Sequence, residues 1–240
     1  MKALIFAAGI GQRMRPLTNY TPKPLLCAGG EPLIVWNLRK LAALGISEVV
    51  INTAWLSEQF PEILGDGQRF GLRLFYSNEG SLPLETGGGM LHALPLLGNA
   101  PFLAINGDIW TDADLTRLPT EPVGDAHLML VNNPEYHPQG DFVLQADSSV
   151  LDRTPGIPTL TFAGLGIYRS QLLADWRNII GDTPDTHAQP PRFKLAPLLR
   201  AAMRSGRIHG THHRGQWTDV GTPQRLHALD TWLRSPEARF

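Results

Sequence analysis

The sequence predicts an α/β fold built on a doubly wound, mostly parallel sheet, with antiparallel strands added by the second half of the chain. Two observations lead to this prediction. Short apolar segments alternate with amphipathic segments of helical period as far as residue 106, and strands and helices that alternate at this spacing form parallel sheets. Beyond about residue 120, strand-like segments follow one another with turn-rich stretches between them.

The first half begins with a strand at Lys2–Phe6, because KALIF is apolar and too short for a helix. Apolar residues at helical spacing predict helices, and short apolar runs between turn signals predict strands. On this basis we predict helices over residues 31–44, 56–64 and 87–97, and strands over residues 48–52, 72–76 and 102–106.

The second half has fewer helical segments. Helices are predicted over residues 194–205 and 223–233, where apolar residues repeat at helical spacing. Residues 181–191 are polar and rich in proline, which predicts a mobile loop. Strands are predicted over residues 126–131, 142–145, 160–168, 207–211 and 216–218.

The composition excludes several classes of protein. Hydrophobic residues make up 42% and charged residues 18%, with a net charge of -1; this is typical of a globular protein and not of a nucleic-acid binder with a broad basic surface. No apolar stretch approaches the length of a membrane span, and a core strand that begins at Lys2 leaves no room for a signal peptide. The single cysteine, Cys27, is expected to be a buried thiol, and a cytoplasmic location fits this cysteine usage.

The loop after the first strand is the most informative part of the chain. Two glycines, Gly9 and Gly11, lie close to three cationic residues, which are Arg13, Arg15 and Lys23. Glycine lets backbone N–H groups approach phosphate oxygens, arginine binds phosphate through two donors, and lysine acts as a point charge. The loop therefore predicts a polyphosphate site, with a plain turn carrying surface arginines as the alternative. It lacks both the third glycine of a dinucleotide fingerprint and the G-K-[ST] of a Walker loop.

The stretch GIGQRMRPLTNYTPKP resembles the G-x-G-x-R-x-x-P-x-T-x-x-x-P-K signature of sugar-1-phosphate nucleotidyltransferases. The residues that match are Gly9, Gly11, Arg13, Pro16, Thr18, Pro22 and Lys23. The resemblance implies a Rossmann-like, GT-A-like fold in one domain over residues 1–240. Within it, a nucleotide-binding half would occupy about residues 1–120 and a sugar-binding half about residues 121–240.

Two aspartates are expected to hold a metal ion. Asp108 follows the strand over residues 102–106, and ligands of open α/β sheets bind at the carboxyl ends of strands. Asp219 lies in WTDVGT, which resembles the late motif whose aspartate completes the magnesium site of the family. Because Mg²⁺ prefers one or two carboxylates with phosphate oxygens and water, the resemblance implies Mg²⁺ as the cofactor. Helix capping is the alternative role for both aspartates.

The glycine-rich segment ETGGG, residues 85–89, opens a predicted helix, and helix N-termini favour anions and close ligands. In the family the matching turn lies against the nucleobase, and packing is the alternative role of these glycines. The resemblance implies a nucleotide-binding set of Ala8, Gly9, Gly11, Arg13, Lys23, Thr86, Gly87, Gly88 and Asn106.

Contacts with a sugar phosphate are expected in the second half of the chain. Lys194 is predicted to start a helix, where a cation opposes the helix dipole, and it resembles the family lysine that meets the sugar phosphate. A solvated surface lysine is the alternative. Gly140 and Gly164 match, more loosely, the segments that surround the sugar in the family.

The resemblance implies that a sugar 1-phosphate oxygen attacks the α-phosphate of a nucleoside triphosphate and that pyrophosphate leaves. Arg13, Lys23 and Asp108 are the expected catalytic residues. The motifs PLETGGG, INGD and WTDVGT resemble those of family members that use UTP and N-acetylmuramate α-1-phosphate. The resemblance implies these substrates, with UDP-N-acetylmuramate as a product for peptidoglycan recycling. The alternatives are guanylyl transfer to mannose 1-phosphate, another hexose-1-phosphate reaction, or a regulatory subunit that binds a sugar nucleotide. We expect a monomer or a small homo-oligomer.

Overall fold

The computed structural model of the chain describes residues 1–236 and residue 238. The strands within these residues are β1 (Lys2–Phe6), β2 (Cys27–Ala28), β3 (Glu31–Pro32), β4 (Glu48–Thr53), β5 (Arg73–Asn78), β6 (Phe102–Asn106), β7 (Ile109–Thr111), β8 (Ala126–Val131), β9 (Phe142–Leu144), β10 (Val150–Asp152), β11 (Thr161–Tyr168), β12 (Ile208–His213) and β13 (Trp217–Asp219). The α-helices are α1 (Leu33–Ala43), α2 (Gln59–Leu64), α3 (Glu85–Leu97), α4 (Trp176–Ile180), α5 (Pro184–His187), α6 (Ala196–Arg204) and α7 (Pro223–Leu233).

Seven strands form the central sheet, in the order β12-β8-β11-β6-β1-β4-β5. Strand β11 runs antiparallel to both of its neighbours, and the other six share one direction. The predicted doubly wound, mostly parallel sheet is therefore confirmed. The second half adds fewer antiparallel strands to this sheet than expected, because β9 pairs with β10, and β7 with β13, in separate antiparallel ribbons.

The sheet is buried on both faces because successive side chains of a strand point to opposite sides. Ala3 and Ile5 of β1 join a core covered by α1 and α2, whereas Leu4 joins a second core covered by α3 and α6. The apolar stripes predicted for these helices are the surfaces that they bury. A continuous apolar strand such as KALIF is thus explained by helices on both sides of it.

A third apolar cluster connects helix α7 with the loop that follows β1. Leu229 and Leu233 of α7 pack with Met14 of that loop and with Trp110 of β7. The backbone N–H of Gly29 also donates to Asp230 Oδ1 at 2.8 Å. The end of the described chain therefore supports the glycine loop near its beginning.

The direction of winding changes between β1 and β6. From β1 the chain proceeds through β4 to the edge strand β5, then returns to β6 on the other side of β1. At this point the N–H of Gly107 donates to the carbonyl of Phe6 at 2.9 Å. Ligands of open α/β sheets bind in the crevice at such a switch point.

Several local predictions are wrong, each for an identifiable reason. Cys27 is exposed, because β2 alternates and directs its neighbour Ala28 into the core. The segment predicted as a mobile loop contains helix α5, which Thr183 caps through a capping box with the buried Thr186. The helix predicted from residue 194 begins at Ala196. Among the described helices, none combines the length and apolar character that a membrane crossing requires.

Candidate active site

A cavity of about 640 Å³ opens at the switch point. We call it the switch-point cavity. It is lined by the loop after β1, the turn after β6 and the segment before α3. Among the residues predicted to bind nucleotide or metal, its lining includes Ala8, Gly9, Gly11, Arg13, Lys23, Thr86, Asn106 and Asp108.

The glycine loop is held in shape by its own hydrogen bonds. Gly11 has a φ of 69°, and its carbonyl accepts both the N–H of Met14 and the hydroxyl of Thr18, each at 2.8 Å. Met14 is fully buried while its neighbour Arg13 is exposed and lines the cavity. Burial of one residue thus directs the adjacent guanidinium toward the ligand space. Arg15 is exposed as well but does not line this cavity.

Lys23 and Asp108 form an ion pair inside the cavity. Lys23 lies in a 3₁₀ turn at Lys23–Leu25, and its Nζ donates to Asp108 Oδ2. The two side chains are only 15% and 22% exposed, so the pair is largely withdrawn from water. Gly107 permits the approach, since a Cβ there would lie 3.0 Å from the carbonyl oxygen of Phe6. The cation of the glycine loop and the acid after β6 therefore meet in one place.

The β7–β13 ribbon brings Asp219 beside Asp108. Asp219 is paired with Ile109, and the N–H of Val220 donates to the carbonyl of Asp108 at 2.8 Å. The Asp219 carboxylate accepts a hydrogen bond from Arg225 Nη1 at 2.5 Å and another from the hydroxyl of Tyr136. Two acids distant in the sequence thus become neighbours, each held by a basic side chain.

Asp219 faces a second cavity of about 310 Å³, which we call the ribbon cavity. The two cavities share Arg13 and Asn106 in their linings. Gly164 lies behind Asn106 with a φ of 74°, and a Cβ on it would be 2.5 Å from Asn106 Nδ2. Glycine at position 164 therefore lets the Asn106 amide occupy the wall between the two spaces.

Four residues predicted to touch a ligand line neither cavity: Gly87, Gly88, Gly140 and Lys194. Lys194 is exposed between the buried Phe193 and Leu195, so its side chain points away from the core. Gly140 has a φ of 55° and makes room for Asn133, whose Oδ1 would lie 2.4 Å from an added Cβ. The expected contacts of Gly87 and Gly88 with the nucleotide, and of Gly140 and Lys194 with the sugar phosphate, stay predictions.

Gly87 and Gly88 have a packing role, and their expected contact with the nucleotide stays a prediction. Their N–H groups donate to the carbonyl of Phe193 at 2.9 and 3.0 Å, and so are not available to a ligand. A Cβ on Gly88 would lie 2.5 Å from the carbonyl oxygen of Pro191. The bare start of α3 therefore lets residues 191–193 pack against the helix.

Replacing Gly87 by alanine should destabilise the protein by about 1–3 kcal/mol. The added Cβ would lie 2.6 Å from the Phe193 ring, which cannot easily retreat because it stacks on Trp176 at 4.6 Å between centroids. In an open helix, the same change stabilises by about 0.5–1 kcal/mol. Thermal unfolding of both proteins measures the effect, and the midpoint should be lower in the variant. A midpoint that is unchanged or higher contradicts the packing role.

Glu79 is a cavity residue that sequence reasoning missed. It is buried in the switch-point cavity, where Asn52 Nδ2 and the N–H of Leu84 donate to its two carboxyl oxygens, each at 2.7 Å. Burial is the main cause that raises its pKa to about 7, against the opposing effect of these two donors. The signal was present, because Glu79 directly follows strand β5 just as Asp108 follows β6.

The raised pKa of Glu79 makes stability depend on pH. Between its ordinary pKa of 4.5 and the folded value of about 7, the folded chain binds more protons than the unfolded chain. Stability therefore falls as pH rises through this window, and the cost is fully present above about pH 7. The free energy of unfolding should therefore fall with pH by up to about 3 kcal/mol less in Glu79→Gln than in wild type. Urea unfolding at about pH 5 and about pH 8 measures it; the same loss in both proteins would contradict this assignment.

The donor set at the ribbon suits a hard divalent cation. Mg²⁺ prefers one or two carboxylates and completes its shell with water and substrate phosphate, and Asp108 and Asp219 offer two carboxylates on neighbouring residues. Within the described residues, no cluster of three or more histidine, cysteine or acidic side chains could hold a metal ion by itself. The arrangement therefore fits a metal that arrives with phosphate ligands.

The switch-point cleft, its cationic glycine loop and the neighbouring aspartates of the ribbon are those of an α/β protein of the nucleotide-transfer class. The family model described as nucleotidyl transferase matches residues 2–133, which is more than half of the chain. The chain therefore belongs to the nucleotidyl transferase family, as the signature in its first loop predicted. Enzymes of this family generally use a divalent metal ion.

Relatives match along nearly the whole chain. A protein of Neisseria meningitidis serogroup B named N-acetylmuramate alpha-1-phosphate uridylyltransferase is 48% identical over 233 residues, covering 94% of this chain and 95% of its own. A protein of the same name from Caulobacter vibrioides is 35% identical, with 96% of each chain covered. A mannose-1-phosphate guanylyltransferase of Mycobacterium tuberculosis is 31% identical, but the match spans 61% of that longer protein.

A solved structure supports the fold. A chain described as a glucose-1-phosphate thymidylyltransferase of Bacillus anthracis, in complex with a sucrose, superposes with a TM-score of 0.80. The match covers 100% of this chain and 97% of that one at 21% sequence identity. The shared architecture confirms the nucleotidyltransferase fold class.

Proposed function

We propose that this chain transfers the uridylyl group of UTP to N-acetylmuramate α-1-phosphate and releases pyrophosphate and UDP-N-acetylmuramate. The observation that carries the proposal is the 48% identity to the Neisseria relative, which extends over 94% of the chain and so includes most of the half proposed to bind the sugar. The site supports the same chemistry, because two adjoining cavities share Arg13 and Asn106. The switch-point cavity suits the nucleotide, and the ribbon cavity suits the sugar.

Arg13 and Lys23 are the proposed ligands of the triphosphate. A guanidinium binds phosphate oxygens through two donors and an ammonium neutralises charge at one point. Both side chains line the switch-point cavity beside Gly9 and Gly11, whose backbone permits close approach of an anion. These residues fix the triphosphate at the carboxyl ends of β1 and β6.

Asp108 and Asp219 are the proposed ligands of Mg²⁺. When bound, the ion offsets the charge that develops on the phosphate oxygens. The chain's own contribution is to bring the two aspartates to adjacent backbone positions through the β7–β13 ribbon. No residue needs to become covalently modified, because catalysis of such a transfer consists mostly of positioning and charge neutralisation.

In the proposed reaction an oxygen of the sugar 1-phosphate attacks the α-phosphorus of UTP in line with the leaving group. A new P–O bond forms there, and the bond from the α-phosphorus to the oxygen bridging to the β-phosphate breaks. That oxygen leaves with pyrophosphate and takes the electron pair. Arg13 lines both cavities, which supports a role in contacting both phosphate groups as they approach.

The remaining expectations form part of the proposal. Residues 1–240 act as one domain, with the nucleotide held mainly by about residues 1–120 and the sugar mainly by about residues 121–240. The enzyme works in the cytoplasm, where its triphosphate substrate is made, as a monomer or a small homo-oligomer. Its product serves peptidoglycan recycling.

Pyrophosphate release tests the proposal. The protein is assayed with UTP, GTP and the other nucleoside triphosphates against the 1-phosphates of N-acetylmuramate, N-acetylglucosamine, mannose and glucose, with Mg²⁺ present. The highest kcat/KM is expected for UTP with N-acetylmuramate α-1-phosphate. A preference for GTP and mannose 1-phosphate would support the alternative reaction, and tight binding without turnover of any pair would support a regulatory subunit.

A further inference from the structure

The sugar of the proposed reaction carries a charge that most hexoses lack. N-acetylmuramate is N-acetylglucosamine with a lactyl ether on O3, and the lactyl group ends in a carboxylate. A carboxylate is recognised most strongly by a cationic hydrogen-bond donor. If the proposed function holds, on which this inference rests, a side chain of the ribbon cavity must supply that donor.

Three basic side chains line the ribbon cavity among the described residues: Arg13, His137 and Arg225. Arg13 also lines the switch-point cavity beside the glycine loop, where the triphosphate is proposed to bind. Arg225 is engaged with Asp219 at 2.5 Å, and its guanidinium lies over the Tyr136 ring at 4.0 Å from the centroid. His137 is therefore the basic residue of this cavity that is assigned neither to a phosphate group nor to the Asp219 carboxylate.

The His137 ring is held by a carboxylate of its own. Its Nε2 donates to Asp141 Oδ1 at 3.0 Å, and Asp141 Oδ2 accepts the backbone N–H of Phe162 at 2.8 Å. This second contact ties Asp141 to strand β11, so the ring orientation is set by the central sheet. Because Asp141 occupies Nε2, Nδ1 is the ring nitrogen left for a ligand, and it donates Nδ1–H when both ring nitrogens carry a proton.

The loop that carries His137 is fixed before any ligand arrives. The N–H of His137 donates to the carbonyl of Pro134 at 2.8 Å, which closes a turn. Asn133 Nδ2 donates to the carbonyl of Thr159 at 3.1 Å, and the Thr161 hydroxyl donates to Asn133 Oδ1 at 2.9 Å. A donor on a pinned loop loses little conformational freedom on binding, which favours selective recognition.

We propose that His137 binds the lactyl carboxylate through Nδ1–H and thereby selects N-acetylmuramate over N-acetylglucosamine. His137 is in this view a specificity-determining residue that touches substrate. Asp141 is a positioning residue, which acts through the imidazole ring.

The test compares N-acetylmuramate α-1-phosphate with N-acetylglucosamine α-1-phosphate, which lacks the lactyl group, for wild type and His137→Ala with UTP. We expect the variant to lose about 10- to 100-fold in kcat/KM for the lactyl substrate, which is the effect of removing a charged hydrogen bond. The loss should appear in KM rather than kcat, since the carboxylate is remote from the reacting phosphorus. For the substrate without the lactyl group, kcat/KM should change by less than about 3-fold. The ratio of kcat/KM for the lactyl substrate to kcat/KM for the other substrate should therefore fall steeply.

Two further measurements separate recognition from structure. Asp141→Asn should give a smaller loss of the same ratio, because the amide still accepts from one donor but places no negative charge beside the ring. His187→Ala changes a histidine that pairs with Asp182 and lines neither cavity, and should leave the ratio unchanged. Replacing the lactyl carboxylate by its carboxamide should cost wild type about as much as His137→Ala does, and should cost the variant little further.

The outcomes for this inference and for the proposed function are distinct. If wild type prefers the lactyl substrate and His137→Ala keeps that preference in full, the role of His137 is overturned while the proposed function stands. If wild type itself turns over neither substrate with UTP, or favours another sugar, the proposed function fails. Equal losses for both substrates in His137→Ala would show a structural role and would also overturn the inference.

Discussion

Replacement of Lys23 by alanine should lower kcat by about 100- to 1,000-fold, the effect of removing one preorganised charge contact from a transferring phosphate. Lys23 lies in the cavity between the glycine loop and Asp108, and its side chain is only 15% exposed. In such a site an ammonium is weakly screened by water and stabilises developing negative charge strongly. Pyrophosphate release under saturating substrates measures the effect.

Arg15→Ala is the matched control for Lys23→Ala. Arg15 is a cation of the same loop that is exposed and lines neither cavity. We expect its removal to change kcat by less than about 3-fold, as for a solvated surface charge. Circular dichroism should show both variants folded. Near-normal turnover of a folded Lys23→Ala protein would refute the proposed role of Lys23.

Replacement of Asp108 by asparagine should lower kcat by at least about 100-fold. The amide keeps the shape of the side chain but removes the charge that a divalent cation requires, and more Mg²⁺ should not restore turnover. Binding of Mn²⁺ in the presence of UTP, followed by the electron paramagnetic resonance of the free ion, should weaken in parallel. This second readout does not depend on turnover.

Asp112→Asn is the control for the aspartate. Asp112 lies close to Asp108 in the sequence, but its carboxylate accepts from His213 Nε2 at 2.8 Å and lines neither cavity. Its replacement should leave Mn²⁺ affinity and kcat near the wild-type values. Unchanged Mn²⁺ affinity in Asp108→Asn would exclude this carboxylate as a metal ligand.

Elements that depend on local pattern were predictable from the sequence. The strand at Lys2–Phe6 and the helix at Pro223–Leu233 have the predicted bounds, because periodicity and capping residues act over short distances. The ribbon of β7 and β13 was not predicted, since its pairing joins segments far apart in the chain. Without that pairing the sequence gives no distance between the acid in INGD and the acid in WTDVGT.

Site residues that follow a strand were predictable from the sequence. Residues whose role depends on packing were not. Gly11 and Lys23 line the switch-point cavity as expected. Glycine in ETGGG could serve a ligand or a neighbouring segment, and the packing against Phe193 becomes visible only in the folded structure. Arg225 and His137 reach the ribbon cavity through a helix start and a turn, for which the sequence contains no local signal.

The packing of helix α7 on Met14 has a consequence for biosynthesis. The loop with Gly11 and Arg13 is synthesised well before residues 223–233, which supply its apolar support. The parallel strands β1 and β4 can pair long before that moment. A nascent chain will therefore hold several strands of its sheet while this loop still lacks its support, and the loop will take its final shape only after helix α7 has been made.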